Sequence, residues 1–125
     1  MLLRIDPSDR RPIYRQVADE IKMLIAGGKL REGAPLPSVR QLASDLGVNL
    51  NTIATAYREL QDEGLIAVRH GSGAVVTSRT SQSSGAELRQ PLRTALTELV
   101  LGGLSRREIL NLVSTELNDL TKGAK

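Results

Sequence analysis

The chain has 125 residues, 40% of them hydrophobic, which suffices for one compact domain, alone or with a helical appendage, and excludes a large catalytic architecture. It has no cysteine and a single histidine, so a disulfide framework, a thiolate metal site and a histidine-rich site are excluded, and no metal or cofactor is expected. The formal charge of +3 permits a nucleic-acid partner without demonstrating one, so the placement of the charges matters more than their sum.

At the N-terminus, Leu2, Leu3 and Ile5 form a broken apolar patch that charges and prolines soon interrupt. This predicts a short strand over residues 2–5, with neither a signal peptide nor a membrane-spanning helix, and a cytoplasmic location follows by default. Asp6, Pro7, Ser8 and Asp9 supply turn chemistry before Pro12, which is tolerated at a first helical position. Ile13, Val17, Ile21, Leu24 and Ile25 then recur at intervals of three and four, predicting a helix that Gly27 and Gly28 end.

GKLREGAPLP is expected as a loop, with Ser38 as an N-cap and Gln41 completing a capping box. The second helix runs over residues 39–46 and stops at Gly47, a residue suited to the left-handed conformation. Asn49 caps a third helix over residues 50–63, closed by Gly64. At 100° per residue, its Ile53, Ala56, Tyr57 and Leu60 share the inner side, while Asn51, Thr55 and Arg58 lie opposite. Strands LIAVR and AVVTS follow, joined by HGSG, whose two glycines suit a hairpin turn. Both tyrosines, Tyr14 and Tyr57, fall on inward stripes and are expected in the core.

The Ser-rich run SRTSQSSGA has no periodicity and reads as a linker over residues 78–86. Beyond it, Leu92, Leu96, Leu99 and Val100 make one helical stripe, with Pro91 near the helix start and Gly102 and Gly103 at its end. Ser105 and Glu108 form a second capping box, opening a last helix with Ile109, Leu110, Val113, Leu117 and Leu120. Two such helices are too few to enclose an effector pocket and still expose apolar surface, which a second copy of the chain would bury; binding to a different protein is the alternative. A small-molecule effector would therefore have to sit at the dimer interface or the linker junction.

The order of a helix-turn-helix, ASDLGVNLNT, followed by a glycine-tipped hairpin predicts a mainly α fold with a small β wing. Its domains are a winged helix-turn-helix over residues 1–77, the linker, and a helical dimerisation segment over residues 87–125. PIYRQVADEIKMLIAGGKL, LPSVRQLASDLGVNLNTIATAYRELQDEGLI and HGSGAVV together resemble the GntR family of bacterial transcriptional regulators, and specifically its small YtrA-like subfamily. The resemblance covers most of residues 12–77. It implies a homodimeric, repressor-like protein on a palindromic DNA operator, often near genes for ATP-binding-cassette transporters.

By the same resemblance, Arg40 is a DNA-reaching residue, and Asn49, Leu50, Asn51, Thr52 and Thr55 match the recognition stretch. Asn can pair with an adenine edge, and Thr or Leu can meet a thymine methyl. His70 and Gly71 match the wing feature that enters a minor groove, where Arg69 can join them. Ser38 is a cap first and a phosphate contact second; Arg58 faces outward but further from the helix tip. Leu50 and Ala54 stand where many larger relatives place Arg, so the third helix alone supplies little phosphate attraction. A winged-helix adaptor that binds protein without reading DNA sequence is the alternative function. No nucleophile-base set is visible that would suggest an enzyme.

Overall fold

The structure, a computed structural model, describes residues 3–69, 73–77 and 85–121. The first helix, α1 (Ile13–Ala26), buries Val17, Ala18 and Ile21 completely. Pro12 sits at its N-cap, one residue outside the expected first helical position. The missing N–H costs nothing there, because the first N–H groups of a helix have no partner within it.

The segment expected as a loop contains a two-residue strand, β1 (Pro35–Leu36). It pairs antiparallel with β3 (Gly73–Val76), which also pairs with β2 (Ile66–Arg69), giving the sheet order β1-β3-β2. Gly33 N–H donates to the Val76 carbonyl at 2.8 Å and Val76 N–H to the Ala34 carbonyl at 2.9 Å, extending this edge. The strand expected over residues 2–5 is absent from its described part, residues 3–5. Leu3 and Ile5 pack against the core instead. The backbone after them finds a side-chain partner: Asp6 N–H donates to Gln16 Oε1 at 3.0 Å, and Gln16 Nε2 donates to the Arg11 carbonyl at 3.1 Å.

The second helix, α2 (Val39–Leu46), has the expected limits, and its Ser38 cap accepts from the Gln41 N–H at 3.1 Å. The expected capping box is only half formed. Gln41 Nε2 donates to Asp45 Oδ1 at 2.8 Å rather than serving the cap, because an ionised acceptor one turn on makes the stronger bond. Gly47, with φ 67° and ψ 34°, reverses the chain in the left-handed region. The third helix, α3 (Leu50–Asp62), then runs through the centre of the domain, packed on α1, α2 and β2. Ile53, Ala56 and Leu60 are fully buried, and Tyr57 is 2% exposed.

The fourth helix, α4 (Gly85–Leu101), begins two residues inside the stretch expected as linker. Pro91 therefore lies in its interior rather than near its start, where it can give no N–H to the turn before it. Gly102 and Gly103, the latter at φ 91°, turn the chain into α5 (Arg106–Thr121). Here the capping box is reciprocal: Glu108 N–H donates to Ser105 Oγ at 3.2 Å, and Ser105 N–H to Glu108 Oε1 at 2.9 Å. Hydrogen bonds from the Ser105 backbone N–H, and then from its hydroxyl, hold the Glu108 carboxyl below the usual carboxylate range. A lowered folded pKa means that the cap's contribution is present above the unfolded pKa and lost as pH falls through the folded one. Acidification should accordingly lower the exchange protection factor of the Ser105 amide before those of α1 or α3; equal loss across all three helices would contradict this.

Gly73 carries φ +83°, and a Cβ there would lie 2.9 Å from the Leu36 carbonyl oxygen. Both the conformation and the space exclude a side chain. Gly73→Ala should destabilise the domain by about 2 kcal/mol in urea unfolding, through strain and the parting of β1 from β3. Wild-type stability would show that the wing base tolerates a Cβ.

Candidate nucleic-acid interface

Burial of Ile53, Ala56, Tyr57 and Leu60 sets the rotation of α3 and turns Asn51, Thr55 and Arg58 to water, as the periodicity predicts. Leu50, at the first turn, is 41% exposed, and Thr52 is half-buried. The hydrogen bonds divide these groups further. Asn49 Oδ1 accepts the Asn51 N–H at 2.7 Å as the helix cap, so one of its acceptor lone pairs is already used and its carboxamide is held at the helix start. Bidentate pairing with adenine needs both the carbonyl and the amide of one Asn. Among the described residues no partner engages the Asn51 side chain, which leaves it as the carboxamide free to do so. Thr55 Oγ1 donates to the Asn51 carbonyl at 2.8 Å, leaving its methyl group and its acceptor lone pairs facing out.

A second surface lies where α2 begins and the wing leaves the core. Ser38, Val39, Arg40, Tyr57, Val68, Arg69 and Gly73 line one cleft of about 330 Å³. Tyr57 closes its floor, donating from its hydroxyl to the Pro37 carbonyl at 2.7 Å; burial pushes the phenol's pKa well up, so it remains a donor. Val68, 46% exposed, was not anticipated as part of this surface. Strand alternation was its available signal, since Val68 shares a face with buried Ile66 but lies beyond the core's reach.

Six cations around α1, α3 and the wing fall into two groups. Arg15 forms a bidentate pair with Glu59 at 2.6 and 2.7 Å, Lys22 reaches Glu63 at 2.8 Å, and Arg11 holds Asp9 and Asp19 at 2.6 and 2.7 Å. These charges tie α1 to α3 and to the N-terminal segment. Arg40, Arg58 and Arg69 are exposed and have no acidic partner among the described residues. His70 and Gly71, expected at the wing tip, lie outside the described residues. Among the described residues no group of three metal-binding side chains occurs, and no helix is long and apolar enough to cross a membrane.

Of the residues expected to dimerise, Ile109 is 8% exposed, and Leu96, Leu99, Val113 and Leu120 are half-buried. Leu92, Val100, Leu110 and Leu117 are exposed by 54 to 61%, as large apolar side chains on a single chain. Between α4 and α5 lies an open groove of about 400 Å³, lined by Leu96, Val100, Leu104, Arg106, Ile109 and Leu110.

Three helices, a reversing glycine and an antiparallel wing define a winged helix-turn-helix. A model described as bacterial regulatory proteins, gntR family, matches residues 13–76, and the chain belongs to that family, one of regulators rather than enzymes. The HTH-type transcriptional repressor YtrA of Bacillus subtilis is 40% identical over 61% of this chain and 58% of its own length. The chain thus corresponds to little more than half of that relative. A solved structure described as a transcriptional antiterminator from Listeria monocytogenes superposes with TM-score 0.84 at 32% identity, over 96% of this chain and 92% of that one. AraR(DBD) in complex with operator ORX1 superposes with TM-score 0.53 at 31% identity, covering 60% of this chain and 93% of that one.

Removing the Tyr57 hydroxyl leaves the Pro37 carbonyl without its partner. Tyr57→Phe should cost about 1–2 kcal/mol of stability in denaturant unfolding while α3 stays buried. An unchanged midpoint would mean that this bond does not hold the start of α2 against α3.

Proposed function

We propose that this protein is a sequence-specific DNA-binding transcriptional regulator, a repressor, that acts in the cytoplasm as a homodimer on a palindromic operator. The distribution of charge carries the reading. Acids on α3 and near α1 neutralise Arg11, Arg15 and Lys22, whereas Arg40 and Arg69 share an unneutralised cleft and Arg58 stands free on the outward side of α3. Free guanidinium groups suit phosphate oxygens and guanine edges. In this reading the first turns of α3 enter the major groove, where Asn51 reads a base edge, Leu50 and the Thr55 methyl meet thymine methyls, and Asn49 and Thr52 make single contacts. Arg40 and Arg69 grip the backbone beside them, with Ser38 as a minor contact and Arg58 on a phosphate. His70 and Gly71 are assigned to the minor groove by the family resemblance. The AraR complex with an operator and the naming of YtrA as a repressor support the assignment.

The helical segment after the wing completes the design. One module with few base contacts binds weakly, and a linked second module adds its half-site at high effective concentration. The exposed Leu92, Val100, Leu110 and Leu117 supply apolar surface for a second copy, around which two-fold symmetry makes the operator palindromic. The open α4–α5 groove has room for a small-molecule effector at that interface.

Selection from a random duplex pool should return a palindrome, and Arg40→Ala should weaken binding to it about tenfold without changing the base preference. Absence of binding at low salt, together with capture of a protein partner, would favour an adaptor role instead. Sedimentation should give a two-chain mass that Leu117→Glu lowers. A monomeric wild-type protein that still selects a palindrome would contradict the dimer.

A further inference from the structure

Gly27 is buried at the end of α1, yet its backbone, at φ −80° and ψ 1°, is one that any residue adopts. Gly28 beside it, at φ 78°, is the residue whose conformation calls for glycine. Gly27 is required by space instead. A Cβ there would lie 2.9 Å from the Leu120 carbonyl oxygen, a backbone atom in the last turn of α5, and 3.2 Å from the Met23 carbonyl oxygen. Neither oxygen can swing aside as a side chain could.

Around this approach, Met23 and Leu24 of α1 and Leu120 of α5 share a shallow cleft with Glu20, Lys29, Glu116 and Asp119. Among the described residues no ion pair crosses it, so the fit of backbone to backbone defines the contact. The first turn of α5 lies some fifteen residues from Leu120, a span of about 20 Å at the rise of an α-helix. A small shift at the Gly27 end therefore becomes a larger one at the far end.

We propose that Gly27 is a positioning residue: by admitting the last turn of α5 against α1, it fixes the angle between the helical arm and the DNA-binding domain, and hence the half-site spacing that the dimer accepts. The second half of this statement rests on the dimeric DNA-reading function proposed above; the first half does not.

The chain has no cysteine, so a Gln61→Cys, Arg107→Cys variant carries one spin label on exposed α3 and one on the first turn of α5. Mixed with excess unlabelled chain, it reports the distance within one chain by pulsed electron paramagnetic resonance. Gly27→Val should shift or broaden that distribution while leaving helix content unchanged. Asn118→Pro, which disrupts the last turn of α5 and leaves Gly27 untouched, should also shift or broaden the distribution. Duplex selection with Gly27→Val should then return palindromes of altered or looser spacing, with affinity for the wild-type spacing reduced about tenfold but half-site sequence unchanged. An unaltered distance distribution in both variants would overturn the contact as the determinant of arm angle. A shifted distribution with unaltered spacing would overturn the link to DNA reading. Failure of the wild-type protein to select any palindrome would defeat the proposed function, while the distance measurement would still decide the contact.

Discussion

Everything that this domain presents to a ligand depends on how α3 is held. Ile53, Ala56, Tyr57 and Leu60 commit one side of the helix to the core, against α1, α2 and β2. A helix turns about 100° per residue, so a register error of a single residue would carry Asn51 and Thr55 out of the exposed face and apolar side chains into it. Packing thus specifies which groups face outward. The cap at Asn49 then sets where the helix starts, and Tyr57 ties its middle to the backbone just before α2. Position, rotation and neighbour are determined by different interactions.

The same helix also arranges charge. Glu59 of α3 and Glu63 at its C-cap pair with Arg15 and Lys22 of α1, so these two acids are spent on the contact between the helices. Exposed ion pairs of this kind contribute little to stability. Their larger effect is to keep negative charge away from the cleft between α2 and the wing. A chain with a net charge of only +3 can in this way present a basic surface on one side. The helical arm adds no such pattern; its contribution is apolar area and a definite angle to the domain.

Features with local causes were legible in the sequence. The limits of α2, the left-handed Gly47, the caps at Ser38 and Asn49 and the inward set of α3 all follow from short-range geometry and matched expectation. Those that depend on competition between distant partners were not. Nothing local distinguishes residues 2–5 from residues 35–36 as the third strand; the bonds made by Gly33 and Ala34 to Val76 decide it. Gln16 lies off the apolar stripe of α1 and is buried because the N-terminal segment folds over it. Gln41 preferred Asp45 to its cap, and α4 extended through the turn before Pro91. In the site, the sequence offered Asn49 both as helix cap and as part of the recognition stretch, and the bond to the Asn51 N–H bears out the cap. Gly27 read as a helix stop and is one, while the carbonyl ninety-three residues further along that leaves it no room for a side chain had no local signal.

The central claim is that one face of the molecule, made by the start of α3, the start of α2 and the base of the wing, is a DNA-reading face. Amide hydrogen exchange with and without a duplex selected by the protein tests it most directly. The account predicts that bound DNA protects residues 38–41, 49–55 and 66–69, and leaves the face of α1 bearing Arg15 and Asp19 unchanged. Protection centred on α1 or confined to the helical arm would contradict it.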